Sequence, residues 1–389
     1  MLRFLAPGRT SFVVPLLWML MSGTQCGGNR AVTPGSTEHS DGGKDATNSS
    51  DGGEIDAQAR RSGTCTPVGT SCVFTLASGQ DHPSSIAVYQ GTLYWTDEHA
   101  GTVLKMPSTG GTPVTVATPS QQALEPSAAS TTPTRVGPLF VAGASLYWWA
   151  VSDTFTVAHS CGMSGPCSQS PGVAWQMSAS LSGDSSPSLG LSISGGEPPD
   201  PMSGIGGNAD DVYFAAPSTW LMPGNVAAPI SANPFGVVGD GHALYWTDRG
   251  AGTVTAGSTM PGGPPATSAT LATGQAKPSL VAFAGGTVYW TNAGDGTVMG
   301  VPASGGRPVT LAHGQGSPYG IVARTSAIYW TDQDAGTVMK VASGGGTPVT
   351  LASAEPTPYA LALDDTNVYF TTYVANGSVM KLTEDCTCP

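Results

Sequence analysis

Imidazole is the side chain that changes charge near neutral pH and the commonest metal ligand, so the six histidines are the natural starting point. They stand at His39, His82, His99, His159, His242 and His313. No pair has the spacing of a metal-binding helix, no Gly-x-Ser-x-Gly elbow sits between a strand and a helix, and no glycine-rich phosphate loop carries a lysine. No catalytic residue and no cofactor is therefore expected. Carboxylates gather at Asp97 and Glu98, at Asp248, at Asp295 beside Asn292, and at Asp332 and Asp334. None spells the Asp-x-Asp-x-Asp-Gly calcium loop, and Asp and Asn are ordinary turn formers, so no metal is expected either. A third set repeats in register: Gln80, Gln275, Gln315 and Glu355 each precede a proline by three residues, and Ser84, Phe235, Ser279, Tyr319 and Tyr359 each follow one. Amide and aromatic groups in such a series suit a polar, partly apolar ligand. They also serve to satisfy backbone groups, and that structural reading stands beside the binding one.

The elements that must position these residues come from an internal repeat. Tyr94-Trp95-Thr96-Asp97 returns as Tyr245-Trp246-Thr247-Asp248, Tyr289-Trp290-Thr291-Asn292 and Tyr329-Trp330-Thr331-Asp332. Looser copies begin at Tyr147, Tyr213 and Tyr369, making seven units whose tyrosines lie 32 to 66 residues apart. Each clear unit opens on Pro and a short apolar run (strand a), continues with the tetrad (strand b), turns at Gly into Gly-Thr-Val or a variant of it (strand c), and passes a second Gly turn into Pro-Val-Thr-Leu-Ala or its like (strand d). Four short antiparallel strands per repeat make the blade of a β-propeller.

The four good tetrads resemble the YWTD propeller family, the class B repeats of low-density-lipoprotein receptors, over roughly Cys72 to Thr383. The resemblance implies an all-β fold, here a seven-bladed β-propeller of four-stranded antiparallel blades, where six is typical of that family. In a propeller both faces of a blade are covered by its neighbours, so the tetrad reads as core, with Asp at the strand end accepting turn N–H groups. Thr75-Leu76-Ala77-Ser78-Gly79-Gln80 copies the strand-d segments, and the last unit runs out after strand c. The N-terminal segment is thus expected to close the last blade as its outer strand. The d–a and b–c loops then share one face, which assembles Gln80, His82, Phe235, Gln275, Gln315, Tyr319, Glu355 and Tyr359 as candidate ligand contacts. His82, His99 and His313 fall on this face at different alignment positions. The expected role is a non-catalytic binding or interaction module for a protein, a carbohydrate or a small polar ligand. The alternative is a lactonase-like or lyase-like propeller enzyme, since such propellers gather acidic or His residues around the channel.

Composition agrees with a chain of turns: 53 Gly and 32 Pro in 389 residues, with only 10% charged residues, exclude long helices. The net charge is -12, and because the basic and acidic residues up to Arg61 balance, the whole excess lies beyond it. Binding of nucleic acid through charge is thereby disfavoured. Arg3 and Arg9 precede an apolar run from Phe12 to Met21 of the length of a secretory h-region, so residues 1–25 are read as a signal peptide. Cys26-Gly27-Gly28 resembles the lipid-attachment cysteine of bacterial lipoproteins, although Gly23 and Gln25 depart from that pattern. Residues 26–63 are too polar to offset chain ordering and read as a tether, with the propeller at 64–389 and an insertion at about 150–200 in its second blade. The protein is expected in the cell envelope, touching a membrane only through its anchor. The remaining cysteines form an even set behind an export signal, so disulfides are expected: Cys161 with Cys167, and Cys65 or Cys72 with Cys386 or Cys388.

Overall fold

A computed structural model describes residues 66–68, 71–118, 134–142, 145–152, 158–160, 168–170, 175–180, 188–192, 205–207, 212–214, 234–258 and 268–384. They belong to one compact unit, Ser50–Thr387. Every helix or strand among the described residues is a β-strand. The expected signal peptide, Cys26, the tether, and Cys65, Cys161, Cys167, Cys386 and Cys388 lie outside the described residues.

The repeat becomes a series of antiparallel sheets with the strands in chain order. One is Pro83–Tyr89, Thr92–Asp97, Thr102–Pro107 and Val114–Ala117, and another is Pro234–Gly239, Ala243–Asp248, Thr253–Ser258 and Ser268–Ala272. The next two are Pro278–Ala284, Thr287–Asn292, Thr297–Pro302 and Val309–Ala312, then Pro318–Arg324, Ala327–Asp332, Thr337–Ala342 and Val349–Ala352. Within the stretch read as an insertion, Trp175–Ser180 and Ser188–Ser192 complete a sheet with Thr134–Ala142 and Ser145–Ser152. Ala158–Ser160 and Ser168–Ser170 form a ribbon of their own, and Ile205–Gly207 pairs with Val212–Phe214. The a strands touch in a cycle: Pro83–Tyr89 meets Thr134–Ala142, then follow Ile205–Gly207, Pro234–Gly239, Pro278–Ala284, Pro318–Arg324 and Pro358–Leu363, which returns to Pro83–Tyr89.

Burial explains why the tetrad repeats. Trp95, Trp148, Trp246, Trp290 and Trp330 are all fully buried, and Trp95, Trp148, Trp290 and Trp330 pack in clusters that span two adjacent sheets. The hydrophobic clusters cross those wedges: Tyr329 and Val338 of one sheet pack with Leu361, Phe370 and Met380 of the next. A strand sealed on both faces cannot leave a polar atom unpaired without a cost of about 1–3 kcal/mol. The tetrad threonines solve this by relaying between sheets. Thr291 Oγ1 donates to the Tyr319 carbonyl at 2.7 Å, and Thr331 Oγ1 donates to the Tyr359 carbonyl at 2.8 Å while accepting the Gly320 N–H at 2.9 Å. Thr247 repeats the pattern, donating to the Ser279 carbonyl at 2.6 Å and accepting the Gly236 N–H at 2.9 Å.

The b–c turn demands glycine for two reasons. Gly252 and Gly336 hold φ of 64° and 63°, and a Cβ there would stand 2.6 Å from the Gln275 carbonyl oxygen and 2.7 Å from that of Glu355. The turn is thereby pressed against the next d–a loop, and its carbonyls accept the Gln275 and Glu355 N–H groups at 2.9 and 3.0 Å.

Closure uses the N-terminal segment. Ser71–Asp81 pairs antiparallel with Ala375–Thr383, setting Cys72 opposite Thr383 and Val73 opposite Leu382, and Thr66–Val68 adds outside it. Glu384 continues the seam as partner to Lys340 and as acceptor of the Tyr329 hydroxyl at 2.7 Å. A chain truncated to begin at Gln80 is expected to aggregate or melt without cooperativity, because strand Ala375–Thr383 is left as an open edge. One beginning at Gly63 is expected to melt like the full chain, with differential scanning calorimetry as the check.

Candidate functional site

The a–b ladder of the first repeat does not stop at its strand ends. Pro83 is paired with Asp97, and beyond them the Glu98 N–H donates to the His82 carbonyl at 3.2 Å and the His99 N–H to the Asp81 carbonyl at 3.4 Å. Continued antiparallel register therefore sets Asp81 across from His99. The His82 and His99 rings lie with centroids 3.8 Å apart and planes at 33°. His82 Nδ1 is 2.8 Å from Asp81 Oδ1, and His99 Nδ1 is 3.9 Å from the same oxygen. His82 has a φ of 56°, yet Lys277 and Thr357 at the aligned positions have 51° and 48°, so this backbone conformation belongs to the loop.

An aromatic file runs from this corner across the first residues of successive a strands. Tyr373 meets His82 edge-on at 5.1 Å and stacks on Tyr359 at 4.6 Å. Tyr359 lies 4.5 Å from Tyr319, with their hydroxyls 2.8 Å apart, and Tyr319 meets Phe235 edge-on at 6.0 Å. Arg249 caps the far end 4.3 Å above the Phe235 ring. Phe235, Tyr319 and Tyr359 are buried, Tyr373 and His82 are half-buried, and His99 is exposed, so the file reaches solvent at its imidazole end.

Two buried carboxylates stand behind the histidines. Burial raises the Asp97 carboxyl to about 6, against the pull of the hydrogen bond from the Asp81 N–H. One of its oxygens accepts that N–H at 3.2 Å and the other is buried without a partner. Burial, with the Glu98 charge and a hydrogen bond to it adding, pushes the Tyr373 phenol up, while Arg135 acts the other way. Tyr359 is likewise raised well above the usual phenol range by burial first and then by Tyr319.

The repeated glutamines do a different job. Trp95 Nε1 donates to Gln80 Oε1 at 2.8 Å, Trp290 to Gln275 at 2.9 Å and Trp330 to Gln315 at 2.9 Å. Their amide nitrogens turn back to the carbonyls of Ser78, Thr273 and His313. Each glutamine thus closes the hydrogen-bond account of a buried indole fifteen residues on. In the last repeat the indole is replaced by Phe370, and the aligned residue is Glu355, half-buried, with burial raising its carboxyl. The exchange of Gln for Glu follows the exchange of Trp for Phe within one chain.

Of the candidate contacts, the structure brings Phe235, Tyr319 and Tyr359 into the file and places His82 at its open end. Gln80, Gln275 and Gln315 face their own sheets. Sequence reasoning left Asp81, His99 and Tyr373 out of the candidate set. The signal that finds the first two is arithmetic: extending the Pro83–Asp97 pairing by two residues puts 81 opposite 99.

No protein-family model matches the chain, and no curated protein matches it. Solved structures do. A streptogramin B lyase aligns with a TM-score of 0.57 at 13% identity, covering 81% of this chain and 97% of its own. A catalytically inactive variant of virginiamycin B lyase from Staphylococcus aureus, solved with quinupristin, aligns with a TM-score of 0.57 at 12% identity, covering 80% and 98%. A chain of a mitotic checkpoint complex aligns with a TM-score of 0.56 at 12% identity, covering 81% and 94%. The fold is that of a β-propeller. Likeness at such identities speaks for the fold alone, and these propellers include both enzymes and assembly components, so function has to be argued from the residues at the mouth.

Replacing Gln315 by Leu is expected to cost about 1–3 kcal/mol by orphaning the Trp330 N–H, a fall of several degrees in melting temperature. Glu355→Gln, which has Phe370 beside it and no indole to serve, is expected to be close to neutral by the same thermal melt.

Proposed function

We propose that this chain is an exported, non-catalytic, seven-bladed propeller of the YWTD type, anchored by lipid at Cys26, that binds a carbohydrate or similar small polar ligand at its channel mouth. The observation that carries the reading is the aromatic file that ends in solvent at Tyr373, His82 and His99, beside the half-exposed carboxylate of Asp81. Flat ring faces next to charged acceptors suit a ligand that is apolar on one side and rich in hydroxyls on the other. The seven-bladed count is supported by the cycle of a strands, in which Ile205–Gly207 and Val212–Phe214 stand for the third blade. Disulfides at Cys161–Cys167, and between Cys65 or Cys72 and Cys386 or Cys388, belong to the same reading. The position of Cys72 opposite Thr383, three residues before Cys386, supports the second.

A second reading, a lyase-like propeller enzyme, is favoured by one feature, the pair of imidazoles beside a carboxylate at the mouth. Turnover of quinupristin, the compound solved with the staphylococcal lyase, would favour that reading over simple binding.

Screening mono- and oligosaccharides by thermal shift is expected to yield a ligand that raises the melting temperature by several degrees at a hundredfold excess over Kd, about 2.7 kcal/mol by linkage. Tyr373→Ala should abolish the shift and Val309→Thr, on an exposed outer strand, should leave it intact. A shift indifferent to Tyr373 would move the site elsewhere.

Metabolic labelling with palmitate is expected to mark the wild-type protein in a bacterial host and not Cys26→Ala. Equal labelling of the two would remove the anchor from the reading.

A further inference from the structure

We propose that Asp81, His82 and His99 form a binding site for one divalent transition-metal ion of the zinc class, held by two imidazole nitrogens and one carboxylate oxygen. The proposal goes beyond ligand binding at the mouth and does not rest on it. The three donor atoms lie within 4.8 Å of one another. Tetrahedral zinc with bonds of about 2.0–2.1 Å sets its donors about 3.3 Å apart. The distances from Asp81 Oδ1 to the two Nδ1 atoms, 2.8 and 3.9 Å, straddle that value. Closing the set around an ion brings the donors to a common distance and parts the two imidazole rings from their 3.8 Å centroid separation.

The donor types choose the metal. Two imidazoles with one carboxylate suit zinc, cobalt or nickel, whereas magnesium and calcium prefer all-oxygen sites. The surroundings favour a cation, because Asp97 and Glu98 are buried immediately beside the ligands. Asp97 is a positioning residue, since its carboxylate accepts the Asp81 backbone N–H and fixes the chain that carries the first ligand. The side chains of Asp81 and His99 are 50% and 39% exposed, which leaves a coordination position open towards solvent.

Comparison among the repeats separates this set from anything the fold requires. At the positions of Asp81, His82 and His99 the fifth repeat has Ala276, Lys277 and Gly294, the sixth has Gly316, Ser317 and Asp334, and the last has Pro356, Thr357 and Val374. Those loops keep the same backbone pairing, as in Gly294 N–H to the Ala276 carbonyl at 2.8 Å and Tyr373 N–H to the Thr357 carbonyl at 2.9 Å. The blade is built without the ligands, so nothing structural demands two histidines and an aspartate in one of them.

The test is calorimetric titration of the untagged, chelator-stripped full chain with zinc chloride, followed by cobalt, whose visible absorption reports tetrahedral nitrogen and oxygen ligation. One ion per chain is expected, with Asp81→Asn, His82→Gln and His99→Gln each weakening it at least tenfold. Metal-free melting temperatures should stay near wild type. If His82→Gln fails to fold, because the ring contacts with His99 and Tyr373 are lost, Asp81→Asn and His99→Gln decide the matter. Absence of saturable uptake, or uptake that survives Asp81→Asn and His99→Gln in folded protein, would overturn the site. Loss of zinc with sugar-induced shifts retained would leave the ligand reading standing, and the reverse would leave the metal site standing.

Discussion

Everything in this molecule follows from sealing the second strand of each blade on both faces. Once a Trp and a Tyr fill the wedges to either side, about 3–5 kcal/mol hangs on each buried Trp, but its N–H and the adjacent hydroxyl have lost water as a partner. The chain answers with two devices that tie neighbours together. The hydroxyls of Thr247, Thr291 and Thr331 pass a hydrogen bond to the a strand of the next blade, and the indoles of Trp95, Trp290 and Trp330 are received by Gln80, Gln275 and Gln315, which precede the a strand of the same blade. Each blade is therefore completed by chain on either side of it, and the ring is held by polar bonds as well as by packing.

That arrangement fixes where chemistry is allowed. The tetrad Trp and Thr side chains and the glutamines are taken up by packing and hydrogen bonds within the fold, whereas the residues just after each proline and just beyond each tetrad differ in type from repeat to repeat. Aligned behind the tetrad are Glu98, Arg249, Ala293, Gln333 and Tyr373. Such variation at a structurally constant position lets a repetitive scaffold carry an asymmetric site, here an aromatic file with a cation at one end and imidazoles with carboxylates at the other.

Much of the fold was legible because the repeat is internal. Four copies of one tetrad, with Pro before and Gly after, give strand, register and face without any outside comparison, and the copy of strand d at Thr75–Gln80 reveals how the ring closes. The glutamines were legible as a series but not in purpose, because a 15-residue separation across a loop and two strands shows neither atom in the hydrogen bond. The Phe370 and Glu355 exchange, visible in the sequence, carried that information. The cluster of Asp81, His82 and His99 was harder, since none of the usual ligand spacings applies. Asp81 and His99 stand far apart along the chain and become a contact only through the antiparallel register of one hairpin.

The position of that cluster in the ring has a further consequence. Asp81 is the last residue of the strand that closes the propeller against the C-terminal strand, where it sits opposite Ala375. The next N–H, that of His82, donates to the Val374 carbonyl at 3.2 Å, and the ring of Tyr373 packs on the imidazole from the same C-terminal side. Register breaks between Ser78 and Gln80 and between Gln80 and Asp81 bend this strand as it reaches the mouth, as bulges do where a side chain must be re-aimed. The imidazole corner and the seam between the chain's two ends are thus one place. Whatever binds Asp81 and His99 together holds the closing strand to the first blade, and by linkage it stabilises the closed ring over any state in which that strand has left its edge.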